Sequence, residues 1–291
     1  MLPAGVLPMS ASMHASSLWI PWLVAALTAA PALADAPRRV VSMNLCTDQL
    51  AMLVAGEGQL ISVSALSADP RGSAMADVAA RYPLNHGRAE EIYLMQPDLV
   101  IAGTFTRRAT VDMLDRLGIP VLLLEPAYTL DDIAALLIQT GKALGQEAKA
   151  ESLVADFQTR LGLLNSKDAA NPRAALYSAN GYTSGDRTLA GEILSAAGLD
   201  NVAAEAGLAD GGFLPLEVLV MAAPDTVITG VPYAGESRAE AVTDHPVIAA
   251  LRDGRPGARM MDRDWVCGTP FVLQAINAMA DLRHTLQDGQ R

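Results

Sequence analysis

The chain has 291 residues, a formal net charge of −11, 51% hydrophobic residues, 18% charged residues and 4% aromatic ones. Such a hydrophobic, weakly charged composition excludes an intrinsically disordered chain. An acidic balance without a long basic run excludes a general nucleic-acid binder, because phosphate neutralisation needs clustered Lys and Arg. Two cysteines are too few for a disulfide-built scaffold, and the length suits one large domain or two medium ones.

The first predicted segment stands outside the fold. Residues 1–34 contain no Asp, Glu, Lys or Arg. Within them an apolar run at residues 18–27 precedes Ala32-Leu33-Ala34, a small-x-small site. This predicts a secretory signal peptide cleaved after Ala34, although its start carries no Lys or Arg. A membrane anchor fits less well, because the uninterrupted apolar stretch between Pro21 and Pro31 is short for spanning. No later stretch offers about 18 consecutive apolar residues, so a soluble exported chain is expected, in a compartment where cysteines can pair.

Strand and helix then alternate. Residues 39–43 read as a strand, 48–54 as helix and 60–64 as a second strand. Residues 90–96 form a short helix that stops at Pro97. Residues 98–103 are a continuous apolar strand closed by Gly103. Helix 109–117, capped by Gly118, leads to strand 121–124. From residue 129 to 165 the pattern turns helical, broken at Gly145. Residues 147–165 carry one apolar face, Ala150, Leu153, Val154, Phe157, Leu161 and Leu164. Alternation then resumes: strand 173–178, helices 188–197 and 217–222, strands 225–230 and 259–261, and a closing helix over 270–286. These features predict an α/β chain with parallel sheets. Its expected segments are 1–34 (signal), 35–146 (N-terminal lobe), 147–168 (linking helix) and 169–291 (C-terminal lobe).

Pro97-Asp98 and Pro224-Asp225 lie 127 residues apart, and the same offset aligns Glu90 with Glu217, Ile92 with Leu219, and Gly103 with Gly230. One helix–Pro-Asp–strand block is common, but one per lobe implies two similarly built lobes. The two glutamates have two readings. A carboxylate in a first helical turn suits the helix dipole. Equivalent carboxylates on two lobe tips could instead grip a partner's arginines.

With these pieces in place the sequence resembles the periplasmic substrate-binding proteins of ABC importers for iron–siderophore complexes, haem and cobalamin, the cobalamin-binding members most of all. The matching pieces are Arg39-Val40-Val41-Ser42, residues 90–102, Leu114 with Leu117-Gly118-Ile119-Pro120-Val121, Thr183-Ser184-Gly185, and Pro224-Asp225 with Val227-Ile228. The resemblance implies two Rossmann-like lobes joined by one long rigid helix, the class III architecture. It implies a monomer that takes a metal chelate into a cleft between the two lobes and delivers it to an ABC permease with its ATPase subunits. There would be no intrinsic cofactor and no catalysis. By motif position it implies that Glu90 and Glu217 dock on permease arginines.

Ligands of parallel α/β sheets bind beyond the carboxyl ends of the strands. That selects loops carrying Asn44, Cys46, Arg71, Phe105, Arg107 and Arg108 in the first lobe, and Tyr182, Tyr233, Trp265 and Cys267 in the second. The arginines suit an anionic chelate and the aromatics a flat one. His86 is a candidate axial metal ligand, against the commoner role of a solvated loop histidine. Cys46 and Cys267 fall on opposite lobes. A disulfide would tie the lobes, and the alternatives are free thiols, soft metal ligands or a redox-active pair. Two rival functions remain. One is an exported thiol enzyme using Cys46 with His86 or His245 as base. The other is a stand-alone haem- or metal-binding module with no need of exposed glutamates.

Overall fold

The computed structural model describes residues 36–164, 171–233, 235, 237–253 and 255–289. The expected signal peptide and its cleavage site lie outside these residues, as does the end of the expected linking segment.

The N-terminal half runs β1 (Val40–Ser42), α1 (Leu45–Val54), β2 (Leu60–Ser64), α2 (Ala76–Ala79), β3 (Leu84–Asn85), α3 (Ala89–Leu94), β4 (Leu99–Gly103), α4 (Arg108–Arg116) and β5 (Val121–Leu124). Its strands form a parallel sheet in the order β3-β2-β1-β4-β5. Two helices follow, α5 (Leu130–Leu144) and α6 (Glu147–Leu164). Helix α5 opens on a capping box, in which Thr129 and Asp132 each accept the other's backbone N–H, and ends at Gly145 in the left-handed conformation. The C-terminal half runs β6 (Arg173–Leu176), β7 (Tyr182–Thr183), α7 (Leu189–Ala196), β8 (Asp200–Asn201), α8 (Val202–Glu205), β9 (Gly212–Phe213), α9 (Leu216–Ala222), β10 (Thr226–Gly230), α10 (Pro246–Arg252), β11 (Ala258–Met260) and α11 (Val272–Gly289).

Among the described residues the second parallel sheet has the order β8-β6-β10-β11, the same winding as β2-β1-β4-β5. The 127-residue sequence offset therefore maps β4 onto β10 residue for residue. The sequence did not signal α2, β3, β8, α8 or α10, nor the antiparallel pair β7–β9. Strands of two residues carry no readable period, so only their neighbours reveal them.

Strand alternation divides the core. Val40 and Ile101 of the first sheet, and Ala174, Leu176 and Ile228 of the second, face one continuous cluster with α1, α5, α7 and α11. Val41, Val100 and Ala102 face the opposite side, where Ile92 and Leu114 cover them. Ala175, Tyr177 and Val227 do the same under Leu219 and Ile248. Each sheet thus has a private apolar face and one that joins the common core. Helix α6 contributes Phe157 and Ala150 to this common core, with Leu153, Val154, Leu161 and Leu164 partly buried against it. It crosses α5 closely: a Cβ at Gly141 would lie 2.4 Å from that of Ala150, so only glycine fits. The lobes are therefore coupled by packing as well as by chain connection.

Candidate ligand cavity and inter-lobe latch

In the first sheet, β1 is followed in the chain by β2 on one side and flanked by β4 on the other, so the winding reverses between β1 and β4. The carboxyl ends of those two strands open a crevice, the usual ligand position in such sheets. Asn44 leaves β1 and caps α1, accepting the Cys46 N–H at 3.0 Å. A concavity of about 680 Å³ opens there. Its wall includes Met43 and Asn44 after β1, His86 and Arg88 before α3, and Phe105 and Arg107 after β4. Two guanidinium groups, an exposed phenyl ring and a thioether on one wall suit a large, partly flat ligand with anionic edges. Glu90 is on the same wall and is exposed.

His86 is held by Glu91. The His86 amide donates to Glu91 Oε2 at 2.8 Å, and its Nδ1 lies 3.2 Å from Oε1. Partial burial acts against ionisation of Glu91, but the His86 hydrogen bonds and nearby positive charge hold its carboxyl below the usual range. A carboxylate on Nδ1 orients the ring and leaves Nε2 as its free nitrogen. Among the described residues no group of three or more His, Cys, Asp or Glu side chains is assembled for a bare metal ion.

Cys46 and Cys267 are joined in a disulfide across the lobes, with their Cα atoms 5.0 Å apart. This corrects the thiol-enzyme reading: a disulfide sulfur is no thiolate, and neither cysteine is free to ligate metal. Beside the bridge is a smaller cavity of about 130 Å³, lined from both lobes by residues including Cys46, Thr104, Glu125 and Val266. Here Gly268 meets Ala127 so closely that a Cβ would lie 2.2 Å from the alanine methyl.

Arg71 makes a second tie. Its Nη1 and Nη2 donate at 2.8 Å to the carbonyls of Pro232 and Val231 on the other lobe. Its guanidinium carbon stands 3.8 Å above the Tyr233 ring centroid. Tyr233 donates its hydroxyl to Asp262, and that bond, aided by burial, pushes its phenol pKa up. The Arg263 N–H donates to the Arg71 carbonyl at 2.8 Å. Arg71 thus spends both Nη groups between the lobes, and it is not on the wall of the large concavity.

The structure therefore brings Asn44, His86, Phe105 and Arg107 to one cavity, Arg71 to Tyr233, and Cys46 to Cys267. Arg108 lies outside, exposed and 3.9 Å from Asp112. Tyr182 lies on β7 opposite Phe213, and Trp265 packs against the common core with its indole N–H buried. Sequence reasoning missed Met43 and Arg88. Arg88 stands between two residues it had singled out, yet the two-residue strand β3 that aims this loop was invisible.

The glutamates occupy equivalent places, each the second residue of its helix, α3 or α9. Both are exposed and make no hydrogen bond or ion pair among the described residues. The framing is duplicated. Asp98 accepts the Arg39 N–H at 3.0 Å and Asp225 the Arg173 N–H at 2.8 Å. In return, Arg39 donates to the carbonyls of Met95 and Gln96, and Arg173 to those of Ala222 and Ala223. Gln96 and Ala223 share the left-handed backbone, φ 48° and 45°. The Pro-Asp repeat is thus first of all a clamp that stops a helix and starts a strand.

Comparison with known proteins places this architecture. The family model described as periplasmic binding protein matches residues 40–255. A cobalamin-binding protein of Halobacterium salinarum is 29% identical over 201 residues, covering 67% of this chain and 54% of its own length. The chain thus spans about half of that relative. A vitamin B12-binding protein of Pectobacterium carotovorum is 32% identical over 191 residues, covering 62% of this chain and 67% of its own length. Among solved structures, the apo periplasmic heme-binding protein from Roseiflexus superposes with a TM-score of 0.69 at 20% identity, over 86% of this chain and 98% of that one. The fold is thus that of the two-lobed class III binding proteins, and the chain belongs to the periplasmic binding protein family.

Proposed function

We infer that the protein is exported to the periplasm, captures a metal chelate in the cleft after β1 and β4, and delivers it to an ABC permease. The chelate is a corrinoid, a ferric siderophore or haem, with the corrinoid favoured by the names of the related sequences. The observation that carries the reading is the concavity of about 680 Å³ at the reversal of strand order, with Arg88, Arg107, His86 and Phe105 on its wall. Glu90 and Glu217 supply matched carboxylates for arginines of the permease. The protein itself binds and releases, while ATP is hydrolysed by other subunits. The shared core and the Cys46–Cys267 bridge keep lobe motion small.

The test is a visible-absorption titration of residues 35–291 with cyanocobalamin, haemin and a panel of ferric siderophores. Saturable one-to-one binding of one chelate, weakened at least tenfold by R107A or R88A, is expected. An absence of binding across the panel refutes the chelate reading. Transport that is unchanged in E90A/E217A refutes the docking reading.

A further inference from the structure

Each lobe exposes more than its glutamate. One helical turn beyond Glu90 stand Tyr93, 49% exposed, and Leu94, 80% exposed. One turn beyond Glu217 stand Val220, 40% exposed, and Met221, 76% exposed. The spacings of three and four residues put each apolar pair on the same helix face as its carboxylate. Between them, Ile92 and Leu219 are wholly buried and fix each helix to its sheet. The Arg39–Asp98 and Arg173–Asp225 clamps then hold both segments in one conformation. A groove of about 280 Å³ beside Tyr93 and Leu94 adds shape to the first of these surfaces. Single exposed apolar side chains are common on monomers. A carboxylate followed by two of them, at equivalent positions of both lobes, is a repeated device.

We propose that Leu94 and Met221, supported by Tyr93 and Val220, are paired apolar anchors of the docking surface. Their partner is a two-fold symmetric membrane protein that offers, twice, a cationic side chain beside an apolar socket. This rests on the permease-docking reading and extends it from the charges to their apolar neighbours. Charge complementarity selects the partner. The net charge of −11 and the two glutamates repel a second copy of this chain and an anionic lipid surface. Two equivalent patches on one chain match two equivalent sockets, as a dimeric partner supplies. The glutamates then steer and orient the encounter, and the buried anchors set how long it lasts.

The experiment introduces a photoreactive benzoylphenylalanine at position 94 or 221 of the full chain, expressed in its own host, with position 163 as an exposed control. Both test positions are expected to form an adduct with the same integral membrane polypeptide, and position 163 with none. L94N/M221N should then weaken binding to liposomes holding that polypeptide by at least about tenfold, mainly through faster dissociation. Chelate affinity and Tm should stay unchanged. Adducts with two different polypeptides, with a soluble protein or with a second copy of the chain overturn the proposal. So does undiminished binding of L94N/M221N. Should E90A/E217A lose binding while L94N/M221N keeps it, the anchors fail and the docking reading stands. Should neither double variant lose it, the docking reading fails as well.

Discussion

Reduction of the Cys46–Cys267 bridge is the sharpest perturbation this structure offers. The bridge joins residues 221 apart in sequence and crosses the lobes. By chain entropy, closing a loop of that size stabilises the folded state by about 5 kcal/mol, because it removes conformations from the unfolded ensemble. Domains are stable by about 5–15 kcal/mol, so the bridge holds a third or more of the total. The native contacts around it do not depend on the covalent bond. Gly268 still meets Ala127, and Arg71 still reaches Val231 and Pro232. C46S/C267S should therefore fold to the same structure with lower stability. Guanidinium denaturation of oxidised protein, reduced protein and C46S/C267S measures it. The two cross-link-free forms should agree, with a lower midpoint and an equal or steeper slope, as their unfolded chains expand. Loss should reach about 3–5 kcal/mol if the denatured chain keeps little structure. An unchanged midpoint after complete reduction, or two free thiols in the exported protein, would refute the reasoning.

Three other perturbations probe the Arg71 tie, the buried Asp48 carboxyl and the left-handed Ala223 in turn. R71A removes two charge-assisted hydrogen bonds and a cation–π contact, and should cost about 2 kcal/mol. R71K, which lacks the two-pronged geometry, should recover less than half of that, and the loss should be larger in C46S/C267S, as a double-mutant cycle in Tm would reveal. Asp48 is fully buried, and burial, partly offset by hydrogen bonds from neighbouring serines, pushes its carboxyl pKa up. The native state therefore binds this proton more tightly than the unfolded chain, so stability is lost as pH rises from the unfolded carboxylate range through the raised folded value. D48N removes that titration, and its stability relative to the parent should rise with pH over this window and then level, whereas parallel pH curves would exclude it. Ala223 holds φ 45° without the freedom of glycine, so A223G should stabilise by about 0.5–1 kcal/mol in thermal melts, and a loss of Tm would contradict the backbone argument.

The framework was legible in the residues because periodicity and local chemistry write it. The apolar runs at Val100-Ile101 and Val227-Ile228 had to be strands buried on both faces. Gly145 had to end a helix, and the offset between Pro97-Asp98 and Pro224-Asp225 announced two lobes built alike. The apolar face of α6 was readable from Phe157, Leu161 and Leu164 before its partners were known. The roles of the cleft residues were only partly legible. Sequence placed Arg71 on a strand-end loop, and so near the ligand, but its direction depends on where Val231, Pro232 and Tyr233 lie, some 160 residues later. Trp265 met the same loop criterion, yet neighbours distant in sequence draw it into the common core. Whether Cys46 and Cys267 bond was undecidable from spacing, since it requires the Cα atoms to come within reach across two lobes. Local rules determine which segments become strands, helices and turns. Only the packing of one sheet against the other, through α5, α6, α7 and α11, decides which loop side chains meet and which of them remain to face a ligand.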